Sequence, residues 1–365
     1  MAESVITESE IRKLLDGFKD PESGRSIVQL EQVHQLRLDG EKLAVTVGLT
    51  TWSAPLWDQT RRELTEVIRK RFPRLEVTVE TEVHDRPAEK TGEMGLAAKS
   101  VIAIGSGKGG VGKSSIAAYF AFGFSRAGCK VGLLDADVYG PSIPQLIGSD
   151  GRPEMIDNRI QPVMVDGIRV MSMGFLVPSD QAVIWRGPML HGALTQFLRD
   201  TDWGDLDYLF IDMPPGTGDI PLSLSQLLPL TGAVVVCTPQ DVALLDATKA
   251  IAMFRKVEIP VLGMIENMSF FLCPQCGGRS DIFGSGGAKQ RAAALNVPFL
   301  GEVPLNEQLR ILGDQGKVGD SFGVEPARPY LDAICHNLVG GLTERHRRAP
   351  EMPDLPVLGQ KPASP

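Results

Sequence analysis

Cysteine is scarce in this chain: five among 365 residues, with none before Cys129. So few thiols in so long a chain exclude a disulfide framework and point to a reducing, cytoplasmic compartment. Any unusual cysteine pair then reads first as a metal or redox site. Long apolar runs are also missing; none approaches the roughly 20 residues that span a bilayer. Positive charge is not in excess, since 37 Lys and Arg stand against 45 Asp and Glu for a net charge of -8. That balance argues against broad nucleic-acid binding through phosphate neutralisation. The first residues lack the apolar core of a signal peptide and are too acidic for a transit peptide. No repeat of solenoid length occurs. What is present is an ordinary globular composition, 43% hydrophobic and 22% charged, at a length that suggests two domains. The 39 glycines matter for where they fall.

Residues 1–85 read as one small α+β unit. Ile11, Leu14, Leu15 and Phe18 recur at helical spacing, and Leu56 to Phe72 forms a second amphipathic stretch. Leu43 to Leu49 and Leu75 to Glu80 alternate like half-buried strands. Residues 86–99 are polar, contain Pro and Gly, and read as a linker. From Ser100 the pattern changes to short apolar runs at 101–104, 131–134, 168–171, 208–211, 233–237 and 261–265, several with helical stretches between them. Runs of this kind are strands buried on both faces, so residues 100–343 predict a mostly parallel sheet flanked by helices, the α/β class. Residues 344–365 are rich in Pro and charge and read as a disordered tail.

Gly107-Lys108-Gly109-Gly110-Val111-Gly112-Lys113-Ser114 matches G-x-x-x-x-G-K-[ST] between the first apolar run and an apolar helix that opens at Ser115. Glycines let successive backbone N–H groups face inward as an anion nest, and the helix N-terminus adds a positive dipole. Lys113 would reach the β- and γ-phosphates and the Ser114 hydroxyl would ligate Mg2+. Lys108, directly after the first glycine, is either a solvated charge or a second phosphate-facing lysine acting in cis or in trans. Asp137 and Asp212 close two apolar runs, and strand ends of a parallel sheet face the ligand crevice. Asp212 reads as the residue holding Mg2+ through water, and Asp137 as the one that orients the attacking water; the plainer reading of each is a turn or helix cap. Gly216-Thr217-Gly218-Asp219 would follow as a mobile loop sensing the γ-phosphate.

Cys273-Pro274-Gln275-Cys276 lies in a glycine-rich loop, and its spacing lets two thiolates bind one metal centre. A closed structural zinc or cluster site takes four ligands. Cys129, Cys237 and Cys335 are isolated and read as buried small hydrophobes. A second copy of the chain could supply the missing pair on a twofold axis. The occupant is then most naturally a [4Fe–4S] cluster, with zinc as competitor and a thioredoxin-like redox pair as a further alternative.

The loop GKGGVGKSS resembles the deviant Walker A of the nitrogenase iron protein and of MinD/ParA-type ATPases. LDADVYGPS from Leu134, WRGPM from Trp185, IDMPPGTGD from Ile211, TPQ from Thr238, and ENMS from Glu266 followed by CPQCG narrow the resemblance to the Mrp/ApbC family of iron–sulfur cluster carrier ATPases. It covers about residues 100–340. Residues 1–85 resemble the SufT-like domain that precedes the ATPase in many members, with Asp20-Pro21-Glu22 in place. Where such domains often carry cysteine, this chain has Ser53-Ala54-Pro55, which favours a recognition role over cluster handling. The resemblance implies ATP and Mg2+ as ligands and hydrolysis served by Lys108, Lys113 and Asp137. It implies Mg2+ at Ser114, Asp137 and Asp212, and nucleotide contacts from Gly107 through Ser115. Asn267 would read adenine beside Pro304. Cys273 and Cys276 would hold a cluster bridging a homodimer, for delivery to apoproteins and receipt from scaffold proteins.

Three rivals are weaker. A MinD-like spatial organiser needs a membrane helix or a basic DNA surface, and the Pro-rich tail and acidic balance provide neither. An iron-protein-like reductase carries its bridging cysteines unpaired in sequence. A zinc-bridged scaffold differs in its metal.

Overall fold

The computed structural model describes residues 6–91, 94–138, 140–175, 187–216, 220–273 and 275–348. The N-terminal unit contains helix α1 (Glu8–Leu15), strands β1 (Val33–Asp39) and β2 (Lys42–Leu49), helix α2 (Trp57–Arg71) and strand β3 (Glu76–Val83). Thr7 and Glu10 form a reciprocal capping box that starts α1. The helix ends at Leu15, three residues short of the periodic pattern, because Gly17 follows in a turn. β2 pairs antiparallel with β1 and parallel with β3. Ile11, Leu15, Val45, Val47, Leu64, Ile68, Val77 and Val79 bury the face between sheet and helices.

The larger unit begins with β4 (Lys90–Thr91) and β5 (Leu96–Ser106), then α3 (Lys113–Ala127), β6 (Val131–Asp135) and α4 (Ile143–Ile147). Short strands β7 (Glu154–Ile156), β8 (Arg159–Gln161) and β9 (Val163–Val165) precede β10 (Ile168–Ser172), α5 (Gly187–Asp200), β11 (Leu206–Asp212), α6 (Ile220–Leu227) and β12 (Gly232–Cys237). The chain continues through α7 (Asp241–Lys256), β13 (Val261–Leu272), β14 (Arg279–Ser280), α8 (Gly287–Ala294), β15 (Phe299–Leu305), α9 (Glu307–Asp314) and α10 (Arg328–Arg348). Among the described residues the main sheet has ten strands in the order β14-β13-β12-β5-β11-β6-β10-β9, with β15 on β13 and β4 on β5. β5, β6, β10, β11, β12, β13 and β15 run parallel, and helices cover both faces, as the apolar runs predict.

Three further boundaries, in the larger unit, differ from the sequence reading. β5 starts at Leu96, inside the stretch taken as linker, because Leu96 and Ala98 pack into the core. β13 runs on to Leu272, seven residues past its apolar run, because Glu266 and Ser269 bury as a hydrogen-bonded pair, Ser269 Oγ donating to Glu266 Oε1 at 2.5 Å. α10 reaches Arg348, so residues 344–348 of the supposed tail are helical; the rest of that tail lies outside the described residues.

The two units dock at the end of the sheet where β5 and β11 begin. Trp52, 1% exposed, donates its indole N–H to Ser100 Oγ at 2.9 Å and stacks on Tyr208, whose hydroxyl donates to the Trp52 carbonyl at 2.7 Å. His346 of α10 stacks on Trp52 as well. Lys99 bridges Glu22 and Asp207, and Arg86 pairs with buried Asp20. Removing so large a buried ring leaves a cavity, so Trp52→Ala is expected to cost about 3–5 kcal/mol. Denaturant unfolding of the variant against the parent measures it.

Candidate functional site

The opposite end of the sheet gathers the sequence-predicted residues. β5 runs into the glycine loop and α3 leaves it at Lys113, with Gly112 as N-cap at φ +77°. Two of these glycines answer to close approach. A Cβ on Gly107 would sit 2.1 Å from the Asp246 backbone, and one on Gly112 would sit 2.1 Å from Asn267 Nδ2. Asn267 in turn donates to the Val111 carbonyl at 2.9 Å, so β13 braces the loop. Gly112→Ala therefore combines an unfavourable positive φ with displacement of Asn267. Its expected effect is loss of nucleotide affinity in a calorimetric titration, with the fold retained by circular dichroism.

β11 pairs with β6 so that Asp212 lies opposite Asp135 at the strand ends. Lys113 Nζ, buried in this pocket, sits 2.6 Å from Asp212 Oδ1, 3.6 Å from Asp137 Oδ2 and 3.3 Å from Ser114 Oγ. Asp135 accepts from the Ser172 hydroxyl at 2.9 Å and from the Asp137 and Ile143 backbone N–H groups. Burial, together with the neighbouring Asp212 charge, pushes the Asp135 carboxyl up to about 8. Burial also raises Asp212, against the pull of Lys113. Two carboxylates share one ammonium beside a third, buried acidic side chain, so the pocket has room for more cationic charge. Asp212 Oδ2 adds to this, being buried with no hydrogen-bond partner. An acceptor left open in this way costs free energy unless an ion or its water shell takes it up, so the donor set fits Mg2+.

The remaining predicted residues fall around this centre. Lys108 is half-buried in the loop, held through its own carbonyl by the Ser106 hydroxyl at 2.9 Å. Ser115 lies in the first turn of α3. Asn267 and Pro304 are on adjacent strands, Asn267 opposite Val303. Gly216 donates its N–H to the Ser106 carbonyl at 2.9 Å, while 217–219, the rest of the supposed sensing loop, lie outside the described residues, as do Trp185 and Arg186. Sequence reasoning overlooked two supports. Asp135 obeys the same strand-end rule as Asp212 and was passed over for Asp137. Glu266, fully buried, accepts from Ala288 N at 2.8 Å and fixes the strand beside Asn267.

Cys273 directly follows β13, six residues beyond Asn267 on the same chain segment, a span of at most roughly 20 Å. Gly277 N donates to the Cys273 carbonyl at 2.8 Å and Cys273 N to the Gly278 carbonyl at 3.0 Å, closing a tight loop. Cys273 is half-buried and Cys276 exposed. Backbone N–H groups of Cys276 and then Gln275 hold the Cys273 thiol below its usual range, which favours thiolate. Among the described residues no three His, Cys, Asp or Glu side chains gather to hold a metal ion, so one chain presents only two thiolate ligands here. Ile282 and Phe283 beside this loop, and Val242 and Leu245 on α7, are exposed.

A glycine nest on a helix N-terminus, a buried lysine and strand-end aspartates on a parallel sheet define a P-loop NTPase. The family model described as ParA, the NUBPL iron-transfer P-loop NTPase, matches residues 97–339, and that of the iron-sulfur cluster assembly protein matches residues 8–80. The chain belongs to this family of iron-transfer P-loop NTPases. It is 43% identical over 351 residues to an iron-sulfur cluster carrier protein of Deinococcus radiodurans, covering 95% of this chain and 98% of that one. It is 51% identical over 222 residues to the iron-sulfur cluster transfer protein NUBPL of Dictyostelium discoideum, covering 60% and 69%. Among solved structures, a nucleotide-binding protein of Archaeoglobus fulgidus in complex with ADP matches with TM-score 0.55 and 42% identity, over 61% of this chain and 89% of that one. No helix among the described residues is long and apolar enough to cross a membrane.

Proposed function

We propose that this chain is an ATPase that carries an iron–sulfur cluster, of the [4Fe–4S] type, between the two copies of a homodimer and delivers it to apoproteins. The observation that carries this reading is that β13 bears Asn267, which braces the phosphate loop, and ends at the thiolate pair. A change at the nucleotide is thereby passed along one strand to the cysteines. Two thiolates are half of a four-ligand site, and a second copy completes it. The exposed Val242 and Leu245 support such an interface, since α7 also packs Asp246 against Gly107.

In this reading the N–H groups of Gly107 to Ser115 cradle the phosphates. Lys113 leaves Asp212 and Asp137 for the β- and γ-phosphates, and Lys108 reaches the partner's nucleotide. Ser114, Asp137 and Asp212 hold Mg2+, which when bound neutralises charge developing on the phosphates. Asp137 orients the attacking water. Asn267 and Pro304 face the base. The cluster is cargo, received from scaffold proteins and released when the dimer changes geometry. Anaerobic reconstitution with iron and sulfide, followed by absorption spectra and transfer to an apo-enzyme with and without ATP, tests it. A cluster passed on in a nucleotide-dependent manner is expected; a chain that binds zinc alone and transfers nothing contradicts it.

A further inference from the structure

The N-terminal unit brings two histidines and a glutamate together, outside the residues of the nucleotide and thiolate sites. His34 is the extra residue of a β-bulge in β1, where the register slips between Val33 opposite Val47 and Gln35 opposite Thr46. A bulge re-aims a side chain, and here it sends His34 across the middle strand β2. It can cross because residue 48 is glycine: a Cβ there would lie 2.3 Å from His34 Cε1 and 3.0 Å from His84 Cβ. Glycine inside a strand weakens it and marks a close approach. On the far side His34 meets β3 and the residue after it. Its Nδ1 is hydrogen-bonded to Glu82 Oε1, and its Nε2 lies 3.2 Å from His84 Nδ1. The His34 side chain is 27% exposed and Glu82 52%, so the group opens to solvent. None of the three belongs to the hydrophobic core of the unit.

We propose that His34 Nε2 and His84 Nδ1 form a binding site for one divalent transition-metal ion of the zinc type, with Glu82 as the carboxylate that orients His34. An ion ~2.0–2.1 Å from each nitrogen subtends roughly 100° at their separation, near the tetrahedral angle, after each ring tilts to turn its lone pair toward the ion. A carboxylate on the other ring nitrogen fixes the tautomer of the ligating imidazole and raises its basicity. Because no third His, Cys, Asp or Glu side chain among the described residues converges on the point, water completes the coordination and the ion exchanges readily.

The test uses the full chain carrying Cys273→Ala and Cys276→Ala, so that those thiolates cannot take the ion, titrated with Zn2+ by calorimetry without nucleotide. Zn2+ binding with one equivalent per chain assignable to this pair is expected. His34→Gln and His84→Gln should each remove that equivalent, while Glu82→Gln weakens it by about 10- to 100-fold. Imidazole 15N spectra of the same samples should show Zn2+ shifting His34 Nε2 and His84 Nδ1. Binding equal to the parent in either histidine variant, no bound Zn2+ at all, or unshifted imidazole nitrogens would overturn the proposal.

Discussion

Replacing Cys273 or Cys276 with alanine is expected to abolish cluster binding and to leave nucleotide binding unchanged. The reason lies in where the other thiols are. Cys129, Cys237 and Cys335 are buried, and burial raises all three thiols, Cys237 to about 12. A thiol held protonated inside a core does not ligate iron, so no other cysteine of the chain can take over. Cys273 differs in being supplied with the N–H groups of its own loop. The nucleotide residues lie in the loop after β5, at the start of α3, just past β6, at the end of β11, in the middle of β13 and on β15, and none lies in the loop that follows Leu272. Iron and sulfide analysis after anaerobic reconstitution, beside a calorimetric nucleotide titration, separates the two effects. A cluster that persists in the double variant refutes the assignment of the thiolates.

Replacing Lys113 with alanine is expected to lower ATP hydrolysis by about 10^2- to 10^3-fold, the usual cost of removing one preorganised charge donor. It also leaves Asp135, Asp137 and Asp212 without their shared cation. The buried pair already strains toward protonation, so the variant should bind nucleotide triphosphate more weakly as well as turn it over slowly. Arginine is not expected to rescue it. Lys113 is 6% exposed, and a planar guanidinium with five donors does not fit a slot shaped for one ammonium point charge. Phosphate release at saturating ATP checks the first effect, and a binding titration the second. Hydrolysis at the parental rate in Lys113→Ala would show that the loop is not the catalytic site.

Much of the candidate site was legible because its signals are local. The phosphate loop is eight contiguous residues between a strand and a helix, and Asp137 and Asp212 follow short apolar runs. The cysteine pair is likewise a contiguous motif. What escaped depends on contacts between segments distant in sequence. β13 extends through Glu266 and Ser269 because these two satisfy each other and the Ala288 N–H; read in sequence, they end a strand. The docking of the two units turns on Trp52 meeting Ser100, Tyr208 and His346, positions 48, 156 and 294 residues away. Gly48 lies inside the alternating stretch from Leu43 to Leu49, and its purpose shows only when His34 is placed across it.

Docking at the start of β5 and β11 also sets the N-terminal unit apart from the phosphate loop. The N-terminal unit sits at one end of the sheet, while the phosphate loop and Asp212 lie at the carboxyl ends of the same two strands.

The central claim is a cluster shared between two chains. Native mass spectrometry of the anaerobically reconstituted protein, with iron quantified on the same sample, tests it most directly. The account predicts a dimer carrying one four-iron cluster, about two iron atoms per chain, that falls to apo-protein in Cys273→Ala. A monomer retaining a whole cluster, or a dimer bridged by a single zinc ion, would contradict it.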